Sequence, residues 1–186
     1  MTERWYVLGA GAIGSLFAAF MQRGGIEVVL LDHRDGSTNS RSIDIDGLEP
    51  CGHFTYPVST VGAPEKIDYL LVTTKAYTVL SALASVSHRL RDTTKVVLMV
   101  NGMGLDAAIH KAHPGLSLTL ATTTEGSYRR ADGSVCHAGS GRTLMGEAGG
   151  KASPPPWFDL FSRSVPDCHW EHDMAVSLWR KLAINA

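Results

Sequence analysis

RWYVLGAGAIGSLFAAFMQRGGIEVVLLD, residues 4–32, reads as one strand–helix–strand unit. Arg4 to Leu8 is a short apolar run stopped by Gly9, the pattern of a strand buried on both faces. Ile13, Leu16, Phe17, Phe20 and Met21 then recur at helical spacing until Gly24 and Gly25 end the segment. Glu27 to Leu31 is a second buried-looking strand. Two strands flanking a helix form a βαβ unit with parallel strands and a right-handed crossover. Inside it, Gly9-Ala10-Gly11-Ala12-Ile13-Gly14 matches GxGxxG at the turn from strand to helix. That is where such a turn cradles a pyrophosphate: the first glycine allows the tight turn, the second lets the backbone approach the phosphates, and the third lets helix and strand pack closely. The helix N-terminus then offers N–H groups to the anion.

The same alternation continues along the chain. Strands are expected at 69–72, 96–100 and 116–122, with helices at 77–90, 105–113 and 157–163. Residues 35–66 are rich in Gly, Ser, Thr and Pro, and their apolar stretches at 43–48 and 54–58 read either as edge strands or as a loose excursion. Residues 134–138 and 142–145 read as the arms of a hairpin turned by 139–141, and EAGGKASPPP at 147–156 as a linker. The fold class is α/β: a doubly wound, Rossmann-type dinucleotide-binding domain over 1–170, its sheet mostly parallel with a hairpin extension, followed by a helix over 171–186.

Composition narrows the partners. Net charge is −1 with acidic and basic residues interspersed, so neither nucleic acid nor an anionic membrane is attracted by bulk charge, and a small molecule fits better. Cys51, Cys136 and Cys168 lie far apart without a CxxC, and the eight histidines lack HxxxH or HExxH spacing, so no metal and no disulfide framework is assigned. Free thiols suit a reducing cytoplasm. Neither a signal peptide nor a run of about 20 apolar residues is recognisable, so a membrane is not an expected partner.

Several polar residues fall where ligands bind in open α/β sheets, beyond the carboxyl ends of strands. Asp32, at the end of the second strand, is placed to accept hydrogen bonds from ribose hydroxyls and favours NAD, whereas His33 and Arg34 immediately after it offer cations for the 2′-phosphate of NADP. The two signals conflict. Lys75 and Asn101 follow later strands; on position alone they also suit a surface lysine and a turn-forming Asn-Gly. Asp173 reads as an N-cap for a helix that is apolar on most of its circumference, on which Ser177, Lys181 and Asn185 line one narrow face beside an apolar row of Met174, Leu178 and Leu182. A lysine there either loses hydration and becomes a proton donor near neutral pH or snorkels to solvent beside Arg180.

Taken together, GAGAIG (9–14), VTTKAY (72–77), NGMG (101–104), TTT (122–124), HAGSG (137–141) and LWRKLAIN (178–185) resemble the ketopantoate reductase family along the whole chain. The resemblance implies NADPH-dependent reduction of 2-dehydropantoate to pantoate, a step of pantothenate and coenzyme A biosynthesis. NAD remains open as the cofactor, and a homodimer is compatible. It also implies that Lys181 donates a proton to the keto oxygen, that Asn185 hydrogen-bonds the substrate, that Asn101 touches cofactor and substrate, and that Lys75 and the backbone near Ser127 lie beside the cofactor. Three departures stand out. Asp32 precedes the basic residues, Glu125 stands where a small or neutral residue is commoner, and the family's C-terminal helical domain is absent, so slow turnover is expected from this chain alone. The other readings are a reductase of a different 2-keto acid and a non-catalytic dinucleotide-binding module.

Overall fold

The computed structural model describes residues 3–33, 39–102, 104–147, 149–150 and 153–185, with no side-chain detail for 184 and 185. Its sheet contains β1 (Arg4–Leu8), β2 (Glu27–Asp32), β3 (Ser40–Gly47), β4 (Gly52–Thr60), β5 (Tyr69–Val72), β6 (Lys95–Met99), β7 (Ser117–Thr123), β8 (Gly126–Arg129), β9 (Val135–Gly139), β10 (Thr143–Glu147) and β11 (Cys168–Trp170). The helices are α1 (Ala12–Arg23), α2 (Val79–Val86), α3 (Leu105–Ala112), α4 (Trp157–Ser164) and α5 (Met174–Asn185). The strand order is β11-β10-β7-β6-β5-β1-β2-β4-β3-β9-β8. From β4 to β7 every neighbouring pair is parallel. In chain order those strands run 3-2-1-4-5-6, the doubly wound Rossmann arrangement, whose strand order reverses between β1 and β5.

Alternation along each central strand builds two cores. Trp5 and Val7 of β1, Leu30 of β2 and Val97 of β6 face α1 and α4, whereas Tyr6, Leu8, Leu31 and Leu98 face the side of α2, α3 and Met174 of α5. Burial on both faces is what the near-continuous apolar runs encode.

Helix α1 is enclosed further. Residues Gly14 to Met21 are all buried, although one face against the sheet would bury only a stripe. The remainder is covered by the excursion the sequence left open: β3 and β4 pair antiparallel, β3 continues parallel into β9, and Ile43, Ile45, Phe54, Tyr56 and Val135 join Phe17 and Phe20 in one cluster. These segments are therefore strands, and β4 also joins the parallel sheet by setting Leu30 opposite Val58.

The expected hairpin between 134–138 and 142–145 does not form. β9 pairs antiparallel with β8, Arg129 opposite Val135, whereas β10 crosses to lie antiparallel to β7 with Thr143 opposite Thr123. Two features explain the difference. Asp132-Gly133 supplies the tight turn, with Gly133 at φ +90° and the Asp132 carboxylate accepting from the Ser134 amide at 2.9 Å. The Gly139–Gly141 segment instead runs past Thr124, which it meets through reciprocal backbone and hydroxyl hydrogen bonds with Arg142, so close that a Cβ on Gly141 would overlap the Thr124 backbone. The helix expected at 77–90 is divided, α2 being flanked by 3-10 turns at Ala76–Thr78 and Ser87–Arg89.

Phe17, fully buried in α1 and edge-on to Phe20, sits at the centre of this enclosure. Phe17→Ala is expected to cost about 3–5 kcal/mol, read as a lowered urea midpoint with an unchanged slope.

Candidate active-site crevice

The switch point between β1 and β5 opens on the glycine turn. Gly9 has φ +105°, and a Cβ on it would lie 2.8 Å from the Thr74 amide nitrogen. A Cβ on Gly14 would overlap the Gly9 carbonyl oxygen and approach the Thr73 hydroxyl to 2.5 Å. That hydroxyl donates to the same Gly9 carbonyl at 2.7 Å, locking α1 and the β5 loop together. Gly11 differs: its Cβ position has nothing nearer than the Gly9 oxygen at 3.9 Å, its φ is −76°, and it caps α1 without a side-chain hydrogen bond. Packing within the chain accounts for Gly9 and Gly14, and leaves the space beside Gly11 open. The first turn of α1 carries no acidic residue to repel an anion.

Arg129 of β8, which the sequence reading overlooked, donates from Nη2 to the Ala10 carbonyl at 2.6 Å and so brings a guanidinium to this turn. Two residues earlier, the Ser127 hydroxyl is buried without a hydrogen-bond partner among the described residues.

At the end of β2, Asp32 is only 5% exposed, and its Oδ2 accepts from Nη2 of Arg41 at 2.6 Å. His33 is largely exposed, with Nδ1 3.7 Å from the other oxygen, and Arg34 lies outside the described residues. Arg41, on β3, was also overlooked, because no local motif reveals that β3 folds back to this corner.

The loops after β5 and β6 adjoin: a Cβ on Gly102 would touch Ala76 at 3.8 Å. Lys75 and Asn101, on these loops, are exposed. α5 packs over β7 and β10, capped by the Asp173 carboxylate, which accepts from the Val176 amide at 3.2 Å. From this helix Lys181 donates through Nζ to Asn101 Oδ1 at 3.0 Å and to the Thr123 carbonyl at 2.8 Å. The amine therefore does not snorkel beside Arg180. Burial lowers its pKa from the ordinary 10.5. Ser177 is buried, and the side chain of Asn185, one turn beyond Lys181, lies outside the described residues. α5 is less enclosed than its composition suggests: only the face toward β7 and β10 packs, leaving Val176, Trp179 and Leu182 exposed.

Glu125 does not face the crevice. Its carboxylate is buried and meets His137 Nε2 at 2.7 Å, while His137 Nδ1 donates to the Glu49 carbonyl at 2.8 Å. No group of His, Cys, Asp and Glu among the described residues could hold a metal ion, and no described helix is long and apolar enough to cross a membrane.

A doubly wound sheet with a glycine turn at its switch point, and a half-buried lysine over the same carboxyl edge, defines the class: a Rossmann-type α/β domain. The particular family is shown by comparison. The description "Ketopantoate reductase PanE/ApbA" matches residues 5–150, and this chain belongs to that family. The 2-dehydropantoate 2-reductase of Vibrio cholerae is 31% identical over 180 residues, covering 96% of this chain and 59% of that protein. Among solved structures, a D-mandelate dehydrogenase in ternary complex with NADH and anilino(oxo)acetate superposes with a TM-score of 0.83 at 22% identity, covering 98% of this chain and 61% of that one. The 2-dehydropantoate 2-reductase of Methylococcus capsulatus gives 0.81 at 22% identity, with the same coverage. The chain thus spans about three-fifths of the length of these proteins.

The glycine geometry separates packing from binding. Gly14→Ala is expected to destabilise the fold by about 1–3 kcal/mol through overpacking, and Gly11→Ala by less than about 1 kcal/mol. Denaturant titration of both variants checks this contrast.

Proposed function

We propose that the chain binds a nicotinamide dinucleotide along the carboxyl edge of its sheet and that Lys181 protonates the keto oxygen of 2-dehydropantoate as it is reduced to pantoate. The observation carrying this reading is the Lys181 ammonium held between Asn101 Oδ1 and the Thr123 carbonyl, half-buried and without a carboxylate partner among the described residues. The family's curated members bearing the name 2-dehydropantoate 2-reductase support the substrate, and the NADH complex of a solved relative supports the cofactor class.

The residues present fit a dinucleotide. The space beside Gly11 is open where a pyrophosphate would approach the α1 N-terminus, and Arg129 adds positive charge beside it. Asp32 and Arg41 stand at the ribose corner. The bound cofactor would supply hydride to the keto carbon. Reduction then leaves developing negative charge on the keto oxygen, and Lys181 is suited to it because two neutral acceptors orient the ammonium without neutralising it. Asn101, holding the amine, can also turn its amide N–H groups toward ligand, and Lys75 lies on the adjoining loop. Asn185 follows Lys181 by four residues on α5 and is assigned the substrate contact.

Two measurements check the proposal. Cofactor oxidation driven by 2-dehydropantoate, however slow, should fall about 100- to 10,000-fold in Lys181→Ala while dinucleotide affinity changes little. Retained turnover in that variant, or turnover only with other 2-keto acids, contradicts it. The donor must also be protonated, so the rate should hold at lower pH and fall as pH rises through the Lys181 pKa, with a midpoint below 10.5.

A further inference from the structure

We infer that Arg41 selects the cofactor by reading the 2′-phosphate of NADPH from β3. This rests on the dinucleotide reading above and extends it to one specificity-determining side chain.

The argument begins with Asp32. A buried carboxylate at the end of β2 is placed to accept hydrogen bonds from ribose hydroxyls, and it repels a 2′-phosphate. Here it is not left as a bare anion: Arg41 donates to Oδ2 at 2.6 Å, and its side chain is 31% exposed against 5% for Asp32. The ion pair is therefore one-sided. Asp32 forms its buried half, and Arg41 is the more exposed partner.

Arginine is a planar fork of several N–H donors, and Asp32 is the partner found for this one among the described residues. The remaining donors suit bidentate binding of a phosphate. Topology brings the fork to the right place. β3 runs antiparallel to β4, and β4 runs parallel to β2, so the start of β3 returns toward the carboxyl edge where Asp32 ends.

The pairing also cancels the repulsion that Asp32 would otherwise exert. A residue that both neutralises the acid and presents unused donors shifts the balance toward the phosphorylated ribose. Asp32 becomes the anchor that orients Arg41, and is no longer the reader of the 2′-hydroxyl. An arginine with a purely structural role would be expected to spend its donors on backbone acceptors inside the fold. Fully buried Arg89 does so with two of its nitrogens, Nε and Nη1, which donate to the carbonyls of Glu65 and Thr60 at 2.8 and 2.7 Å.

The test is calorimetric titration of the whole chain with NADPH and with NADH, wild type beside Arg41→Leu, Arg41→Lys and the double variant Asp32→Asn/Arg41→Leu. The wild type should prefer NADPH. Arg41→Leu should weaken NADPH by roughly 10- to 100-fold while NADH changes by less than about threefold, and Arg41→Lys should recover part of the loss. The double variant also removes the Asp32 charge, so it controls for a single variant that folds poorly, and it should likewise bind NADPH no better than NADH. Equal weakening of both cofactors, no weakening of either, or a wild type that prefers NADH overturns the assignment of Arg41 alone. A wild type that binds neither cofactor overturns the dinucleotide reading along with it.

Discussion

The contact on which this molecule depends is the one between the first turn of α1 and the backbone of Gly9. Because Gly14 lacks a Cβ, the helix settles onto the Gly9 carbonyl, and Thr73 donates its hydroxyl to the same oxygen. Helix, first strand and the loop after the fifth strand thereby meet at one atom, at the point where the strand order reverses. Everything placed on α1 inherits that position: the parallel sheet on one side, and the β3–β4–β9 extension on the other. Packing on both sides holds the glycine turn in one arrangement, and a preformed site spends little free energy on ordering itself when a ligand binds.

Three cations are spread along the crevice. Arg129 stands at the glycine turn, Arg41 at the end of β2 and Lys181 over the ends of β6 and β7. Of the acids nearby, Asp32 is tied to Arg41, and Glu125 is turned beneath the sheet extension onto His137. Lys181 is held by two neutral oxygens, so its charge remains available to an anionic ligand. A chain with net charge −1 thus builds a locally positive edge by folding, without any basic run in its sequence.

Periodicity and punctuation made the central sheet legible. The runs at 4–8, 27–31, 69–72 and 96–100 are buried on both faces, and the glycine turn, Lys75, Asn101 and Lys181 fall at carboxyl ends or on the covering helix as their positions suggested. What escaped was non-local. β3 and β4 carry ordinary half-polar patterns whose worth lies in the surface of α1 they cover, and that surface is not written next to them in sequence. The Gly139–Gly141 segment looked like a hairpin turn, yet the neighbouring Asp132-Gly133 had the stronger turn chemistry, and β7 offered β10 an edge to pair with. Arg41 and Arg129 belong to the same class of omission, since each matters through a strand pairing that brings it back across many residues.

The central claim is that the glycine turn and the Lys181 amine line one crevice, the turn at the pyrophosphate of a bound dinucleotide and the amine beside its nicotinamide. The most direct measurement is NMR on protein with isotopically labelled lysine side chains, saturated with oxidised cofactor. The account predicts NOE contacts from the Lys181 side chain to nicotinamide ring protons, with shifted amide signals at Gly11, Ala12 and Ile13. Shifted glycine-turn amides with Lys181 seeing no cofactor proton, or only those of the adenine, would contradict it.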